Sequence, residues 1–112
     1  MICVTFVRRA ADRRILSFSV EGHAQYAKPG KDIVCAGVSA VTVGAVNAVE
    51  ALTGLELPAS MKNGWLQSDI PEQGDTAVDD RVQLLLEGMA VMLDTIAQSY
   101  GKYVVIENKY VE

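Results

Sequence analysis

The run from Ile33 to Thr53 constrains the fold of this chain more than any other part of its sequence. Asp32 is a good N-cap residue and Gly54 is a typical residue at a helix end, so the run between them predicts one helix. Its apolar side chains lie almost all the way round: Ile33, Val34, Val38, Val41, Val43, Val46, Val49 and Leu52. A helix with so little polar surface is buried on more than one side. We therefore expect a sheet on one side of it and another helix or a second subunit on the other.

The remaining sequence predicts a sheet and one further helix. Four segments have the composition of β-strands: Ile2–Arg8, Ile15–Glu21, Lys62–Ile70 and Lys102–Val111. In the second of them the inward face is expected to carry Leu16, Phe18 and Val20. A second helix is expected to begin near Asp79 or Asp80 and to run to Tyr100, with Gly101 as its stop. The order ββαβαβ predicts a single α+β domain over residues 1–112, in which two helices pack on a four-stranded sheet.

Composition narrows the class of protein. The chain has 112 residues, half of them apolar, and a formal charge of −4 without a basic stripe, which argues against nucleic-acid binding. The apolar run from Val34 to Val49 is interrupted by polar residues and glycine, so we expect no membrane span. Two cysteines without a signal peptide indicate the reducing cytosol rather than a disulfide framework. A cytoplasmic location is therefore expected.

A candidate thiol site joins the second strand to the first helix. His23, the only histidine, stands twelve positions before Cys35, on a loop from Gly22 to Lys31. If Asp32 caps the helix, Cys35 lies on its first turn, where free N–H groups and the helix dipole favour a thiolate. His23 can come back over this turn and accept the thiol proton. Backbone donors near Cys35 would then form an oxyanion site, so the pattern indicates a cysteine peptidase.

Two further side chains belong to this candidate site. Asp32 can cap the helix through the N–H of Val34 or Cys35, or it can orient His23, and the sequence leaves both roles open. Ser39, one turn beyond Cys35, faces the same side of the helix and can bond to the thiolate, to substrate or to a backbone carbonyl.

Structural roles compete with these functional ones. A lone cysteine beside an apolar helix is often a small core residue, and a lone histidine at a strand end is often solvated. Cys3, in the first strand, has no polar neighbour that would activate it and is expected in the core. One histidine and two cysteines lack the paired spacing of metal ligands, so neither a metal nor a cofactor is expected.

Two segments resemble the signature of the bacterial ribosomal-processing cysteine protease family, Prp. They are Gly22-His23-Ala24 and the stretch Gly30-Lys31-Asp32-Ile33-Val34-Cys35-Ala36-Gly37-Val38-Ser39-Ala40. The resemblance extends over essentially the whole chain, through its length, the order of its elements and the strand that contains Trp65. Two positions depart from the pattern: Gly37, where the family more often has alanine, and Gln25, where a small residue is frequent.

The resemblance implies a small dimeric endopeptidase that removes a short N-terminal extension from a large-subunit ribosomal protein, cleaving after a phenylalanine. By resemblance, the nucleophile is Cys35 and the base is His23. The supporting aspartate, serine and flexible glycine of the family correspond to Asp32, Ser39 and Gly22. The loop that would contact substrate contains Gly22, Ala24, Gln25, Tyr26 and Gly30. Glycines in this loop would allow it to move until substrate brings His23 to the thiol.

Two functions of other classes remain as alternatives. A non-catalytic ribosome-assembly or peptide-binding module would use the same cleft without cutting, but it has no need for a thiol on a helix N-terminus. A thiol redox protein is disfavoured because the chain has no Cys-x-x-Cys motif and the sequence gives no indication that Cys3 lies near Cys35.

Overall fold

The computed structural model describes residues 1–112 and contains two helices and five strands. The helices are α1 (Ile33–Thr53) and α2 (Thr76–Ser99). The strands are β1 (Ile2–Arg9), β2 (Ile15–Glu21), β3 (Ser60–Lys62), β4 (Trp65–Asp69) and β5 (Val104–Val111). The prediction of an α+β fold with two helices is confirmed. The prediction of four strands is wrong, because the chain forms five.

The additional strand comes from a hairpin in the region predicted as a single strand, Lys62–Ile70. A two-residue turn, Asn63–Gly64, separates β3 from β4, and Lys62 pairs with Trp65 across it. Gly64 has a φ of +74°, in the left-handed region that glycine adopts without steric cost. Asn-Gly is a frequent hairpin turn, so this dipeptide was the local indication of a break.

The sheet has the strand order β3-β4-β2-β1-β5. β1 and β5 are parallel, and every other neighbouring pair is antiparallel. β3 and β5 are therefore the two edges. One face of the sheet contributes Val4, Phe6 and Phe18 to a single core that also contains Val38 of α1 and Leu86 of α2. Both helices thus cover the same face.

Cys3 is exposed on the opposite face of the sheet, so its predicted place in the core is wrong. Ile2, Val4 and Phe6 are all buried, and side chains alternate between the faces of a strand. The burial of its neighbours therefore directs Cys3 outward.

A bulge in β2 changes which side chains face the core. Val7 pairs with Ser17 and Arg8 pairs with Ile15, which leaves Leu16 without a partner. Such an extra residue reverses the alternation on one side of it. Ile15, and not the expected Leu16, consequently joins Phe18 in the core.

The caps predicted for α1 are confirmed. Asp32 is its N-cap, and Gly54 closes it with a φ of +80°. By length and composition α1, which is longer than the predicted run from Val34 to Val49, is apolar enough to cross a membrane, a test that core helices of soluble proteins also pass. One side of α1 packs in the core through Val34, Val38, Thr42, Ala45 and Val49, whereas Ile33 and Leu52 are exposed.

α2 begins earlier than predicted. Asp75 is its N-cap and accepts hydrogen bonds from Ala77 and Val78, so the helix begins at Thr76 rather than near Asp79 or Asp80. Asp79 is buried within the first turn, where it accepts the N–H of Gln73 at 2.9 Å. The helix ends at Ser99, with Tyr100 as its C-cap, and the predicted stop at Gly101 has no left-handed φ.

Candidate active site

Cys35 lies on the first turn of α1 and is partly buried. The N–H of Ala24 donates to its Sγ at 3.2 Å. Ala24 itself is buried, so this donor is held by packing as well as by the hydrogen bond. The N-terminal end of a helix favours negative charge. A thiol with a backbone donor at this position has surroundings suited to a nucleophile.

The carboxylate of Asp32 accepts hydrogen bonds from four backbone N–H groups. Its Oδ1 accepts from Val34 and Cys35, both at 3.0 Å. Its Oδ2 accepts from Tyr26 at 2.9 Å and from Ala27 at 3.4 Å. The pKa of Asp32 lies below its ordinary value, first because of the Cys35 N–H and further because of the donors on Ala27 and Tyr26, while partial desolvation opposes this. Of the two roles that the sequence left open, the structure shows the helix cap and no hydrogen bond to His23.

The same hydrogen bonds change the expected oxyanion site. Donors on the first turn of α1 were expected to serve it, but the N–H groups of Val34 and Cys35 already donate to Asp32. A carboxylate acceptor holds such donors more strongly than a neutral oxygen does. An oxyanion at Cys35 must therefore find its donors elsewhere.

The loop between β2 and α1 makes several contacts with the rest of the protein. The Tyr26 ring packs edge-on against Tyr100 and Tyr103, with centroids 5.7 and 5.2 Å away. Lys31 donates to the carbonyl of Lys28 across a turn in which Gly30 has a φ of +84°. The Tyr26 ring therefore holds the middle of the loop against the segment between α2 and β5, and the Lys31 bond closes a turn within the loop. The predicted mobility of the loop stays a prediction.

Gln25 has a φ of +57°, although it is not glycine. An ordinary residue in this left-handed region costs about 1–2 kcal/mol. Gln25, which stands where the family frequently has a small residue, therefore carries backbone strain two residues after His23.

His23 is exposed, and its ring lies over Gly64 in the turn between β3 and β4. A Cβ atom placed on Gly64 would come within 2.6 Å of His23 Nε2. The backbones are joined as well, because the N–H of Gly22 donates to the carbonyl of Gly64 at 2.8 Å. The turn between β3 and β4 therefore packs against the ring of His23, the candidate base. No side-chain hydrogen bond joins His23 to Cys35 in this structure.

Gly22 is required by geometry. It has a φ of +94°, and a Cβ atom there would collide with the carbonyl oxygen of Met1. An alanine at this position would disturb the backbone directly. Loss of activity in such a variant would therefore not isolate loop mobility, which is the role that the sequence suggested for this glycine.

Ser39 is exposed one turn beyond Cys35 and its hydroxyl makes no hydrogen bond within the protein. Gly37, between them, has room for a side chain, since a Cβ atom would lie 3.7 Å from Ile96 Cδ1. The alanine that is more frequent in the family would fit here in ordinary van der Waals contact.

Two clefts meet at the thiol. The hairpin cleft, of about 280 Å³, lies between α1 and the β3–β4 hairpin, and its walls include Val38, Met61 and Leu66. The loop cleft, of about 770 Å³, lies along the loop before α1, and its walls include Gln25, Gly30 and Asp32. Four residues line both clefts: His23, Cys35, Ser39 and Asn63. The structure thus brings the predicted nucleophile, base and serine together and adds Asn63, which sequence reasoning missed.

We expect Asp32→Asn to lower the melting temperature at neutral pH and to weaken its fall in acid. The folded pKa of Asp32 is below its ordinary value of 3.8, so the charged form adds stability above pH 3.8. That stability is lost as the pH falls through the folded pKa. An amide has one acceptor oxygen and cannot serve both Cys35 and Tyr26 as the carboxylate does. Thermal melts between pH 7 and pH 2 would measure the effect.

Asp75→Asn is the matched control, because Asp75 caps α2 in the same manner but has no contact with the loop before α1. A single oxygen of Asp75 accepts both N–H groups, so Asp75→Asn is expected to keep its cap, whereas Asp32→Asn is expected to lose both stability and activity. Equal losses in the two variants would show that the second oxygen of Asp32 and its loop contacts have no part in the effect.

The comparisons with known proteins agree over most of the chain. Residues 1–105 match the family model for the cysteine protease Prp. The ribosomal processing cysteine protease Prp of Bacillus subtilis is 47% identical over 96 residues, which cover 84% of this chain and 86% of that protein. Its namesake in Staphylococcus aureus is 34% identical, over 86% of this chain and 89% of that protein.

Solved structures show the same fold. The crystal structure of the essential ribosomal processing protease Prp from S. aureus with a covalently linked product peptide superimposes with a TM-score of 0.88 at 31% identity, covering 97% of this chain and all of that one. A second S. aureus structure, with a substrate peptide, gives a TM-score of 0.82 at 32% identity with the same coverage. Together with the family match, these similarities show that the chain belongs to the Prp family of cysteine proteases and is a hydrolase.

Proposed function

We propose that this protein is a cytoplasmic endopeptidase that removes a short N-terminal extension from a large-subunit ribosomal protein, cleaving after a phenylalanine. The names of its relatives support ribosomal processing, and a relative has been seen with a substrate peptide. The structural observation that carries the proposal is the meeting of two clefts at Cys35 and His23.

The proposed reaction begins with attack of Cys35 Sγ on the carbonyl carbon of the scissile peptide bond. His23 takes the thiol proton, and the imidazolium then gives that proton to the leaving amine as the C–N bond breaks. The result is a thioester between Cys35 and the N-terminal fragment. Water, deprotonated by His23, attacks the thioester, and its cleavage frees the fragment and restores the thiol.

The exposed ring of His23 and the unbonded side-chain amide of Asn63 can serve these proton-transfer and oxyanion steps. His23 is exposed and lines both clefts, so its ring has room to turn towards Sγ while the Gly64 turn still supports it. The N–H of Ala24, which donates to Sγ in the free protein, is one backbone donor for the oxyanion. The side-chain amide of Asn63 has no hydrogen-bond partner and is available as a second donor.

The arrangement of clefts favours an endopeptidase over an exopeptidase. Cleavage within a chain requires room for the polypeptide on both sides of the nucleophile. The hairpin cleft and the loop cleft provide such room on two sides of Cys35. The hairpin cleft, at about 280 Å³, is slightly below the ~300–1,000 Å³ typical of small-molecule sites, which suits one or two side chains of a peptide.

We also propose that the protein is a homodimer. Large apolar side chains of both helices remain exposed in the single chain: Ile33, Leu52, Leu84, Val91 and Met92. Such surface is commonly covered by a partner. Sedimentation at the mass of a monomer at micromolar concentration would contradict this.

A peptide that spans the extension junction of the host's own ribosomal protein tests the proposed function. We expect the wild-type protein to cut it at one bond, directly after the phenylalanine, with the products identified by mass spectrometry. Replacing that phenylalanine with alanine removes a large apolar group from the cleft and is expected to lower kcat/KM by at least tenfold. Cleavage elsewhere would contradict the specificity, and binding without cleavage would favour a peptide-binding module.

A further inference from the structure

β3 is an open edge of the sheet directly beside the candidate active site. It contains only Ser60, Met61 and Lys62, and all three residues are exposed. β4 covers one side of this strand and nothing covers the other. An uncovered edge strand presents backbone N–H and C=O groups that can pair with another extended chain.

The register of the hairpin identifies which backbone groups are free. Lys62 pairs with Trp65 across the two-residue turn and Ser60 pairs with Gln67. In an antiparallel pair, the residues that close such a turn exchange hydrogen bonds with each other, and the intervening residue directs its N–H and C=O the other way. Met61 therefore presents both groups to the open edge.

Bonds on the far side of β4 agree with this register. Gly64 accepts the N–H of Gly22, so its backbone faces β2. By alternation, Trp65 faces β3 and Leu66, opposite Met61, faces β2. The free edge at Met61 thus follows from two independent sets of pairs.

The open edge of β3 lies along the hairpin cleft that leads to Cys35. Met61 and Lys62 form one wall of the hairpin cleft, and Ser39 and Val43 of α1 form the other, with Cys35 at its end. A polypeptide that enters this cleft lies between an open strand and a helix. Only the strand can offer it regular backbone hydrogen bonds.

We propose that the substrate polypeptide binds as an extended strand on the open edge of β3, where one substrate residue exchanges two backbone hydrogen bonds with Met61. This rests on the proposed function and adds the mode of binding. The backbone bonds hold any extended sequence, while alternate substrate side chains enter the cleft and give specificity. A terminal extension without secondary structure can adopt this strand, whereas a folded segment cannot. The edge therefore selects unfolded extensions.

Junction peptides with a single N-methylated amide provide the test. N-methylation removes one N–H, and we expect it to raise KM about tenfold at one position of the peptide, corresponding to one lost hydrogen bond. At the residues immediately before and after that position we expect a smaller rise, because their N–H groups point away from β3. A KM that is equally insensitive at every position would overturn the proposal.

Met61→Pro tests the same contact from the side of the protein. Proline lacks the N–H, and it is tolerated where the N–H of an edge strand faces solvent. We expect the KM of Met61→Pro to be about tenfold higher than that of Met61→Leu, which changes the same side chain but keeps the N–H, with little difference in kcat between the two variants. An unchanged KM in a folded Met61→Pro protein would overturn the proposal. A change in the oligomeric mass of this variant would also overturn it, because the edge would then be occupied by a second copy of the chain.

The two proposals fail in different ways. If no peptide is cut by the wild-type protein, the proposed function fails. If peptides are cut but neither N-methylation nor proline changes KM, only binding on β3 fails. If Met61→Pro does not fold, the N-methylated series decides alone, because it uses the wild-type protein.

Discussion

Replacement of Cys35 with alanine is expected to abolish cleavage of the junction peptide, with a fall in kcat of at least about three orders of magnitude. The proposed mechanism forms a thioester on Sγ, and alanine has no atom that can form it. The variant is expected to fold, because Cys35 is only partly buried and alanine is the best helix former. It should still bind the peptide, since the cleft and the β3 edge are unaltered. Single-turnover cleavage and peptide binding, measured on the same preparation, separate these two properties.

Cys3→Ala is the matched control, because Cys3 is the only other cysteine and lies exposed on the sheet face away from the helices. It should retain wild-type turnover, and a thiol-alkylating reagent should still inactivate it. Cleavage that survives in Cys35→Ala would remove Cys35 from the role of nucleophile. Loss of activity in both variants would indicate a general requirement for thiols rather than one reactive site.

The parts of the structure that were predicted correctly have local causes. Asp32 and Gly54 bound α1 because a side-chain carboxylate and a left-handed glycine satisfy the groups at a helix end within a few residues. The same cap places Cys35 on the first turn. The candidate nucleophile could thus be placed from residues adjacent in sequence, without knowledge of the tertiary fold.

The parts that were missed depend on contacts between distant segments. Cys3 is an exception, because the alternation of Ile2, Val4 and Phe6 with Cys3 and Thr5 in the strand already indicated its outward direction. The contact of His23 with Gly64 joins two segments that are remote in sequence and become neighbours only after β2 pairs with β4. The multiple bonds of Asp32 likewise require the loop to fold back on α1.

Gly64→Ala is the second change for which we expect a large effect, with a fall in kcat of about a hundredfold. A Cβ atom at this position would meet three atoms of the His23 ring, the nearest at 2.6 Å. The ring is the end of a side chain and can move, so it yields more readily than the backbone does. A shift of about 1 Å in a catalytic group costs on the order of 10²-fold in rate. Steady-state kinetics should therefore show a loss mainly in kcat, while KM changes little.

Gly74→Ala separates this effect from backbone strain. Gly74 has a φ of +75°, almost the same as the +74° of Gly64, but a Cβ atom on Gly74 would meet nothing within 4 Å. Both variants should lose about 1–2 kcal/mol of stability, because alanine is strained in the left-handed region. Only Gly64→Ala places a methyl group against the candidate base, so only that variant should lose turnover at a temperature where both proteins are folded. If the two variants lost turnover equally, strain would account for the result and the hairpin turn would have no part in positioning His23.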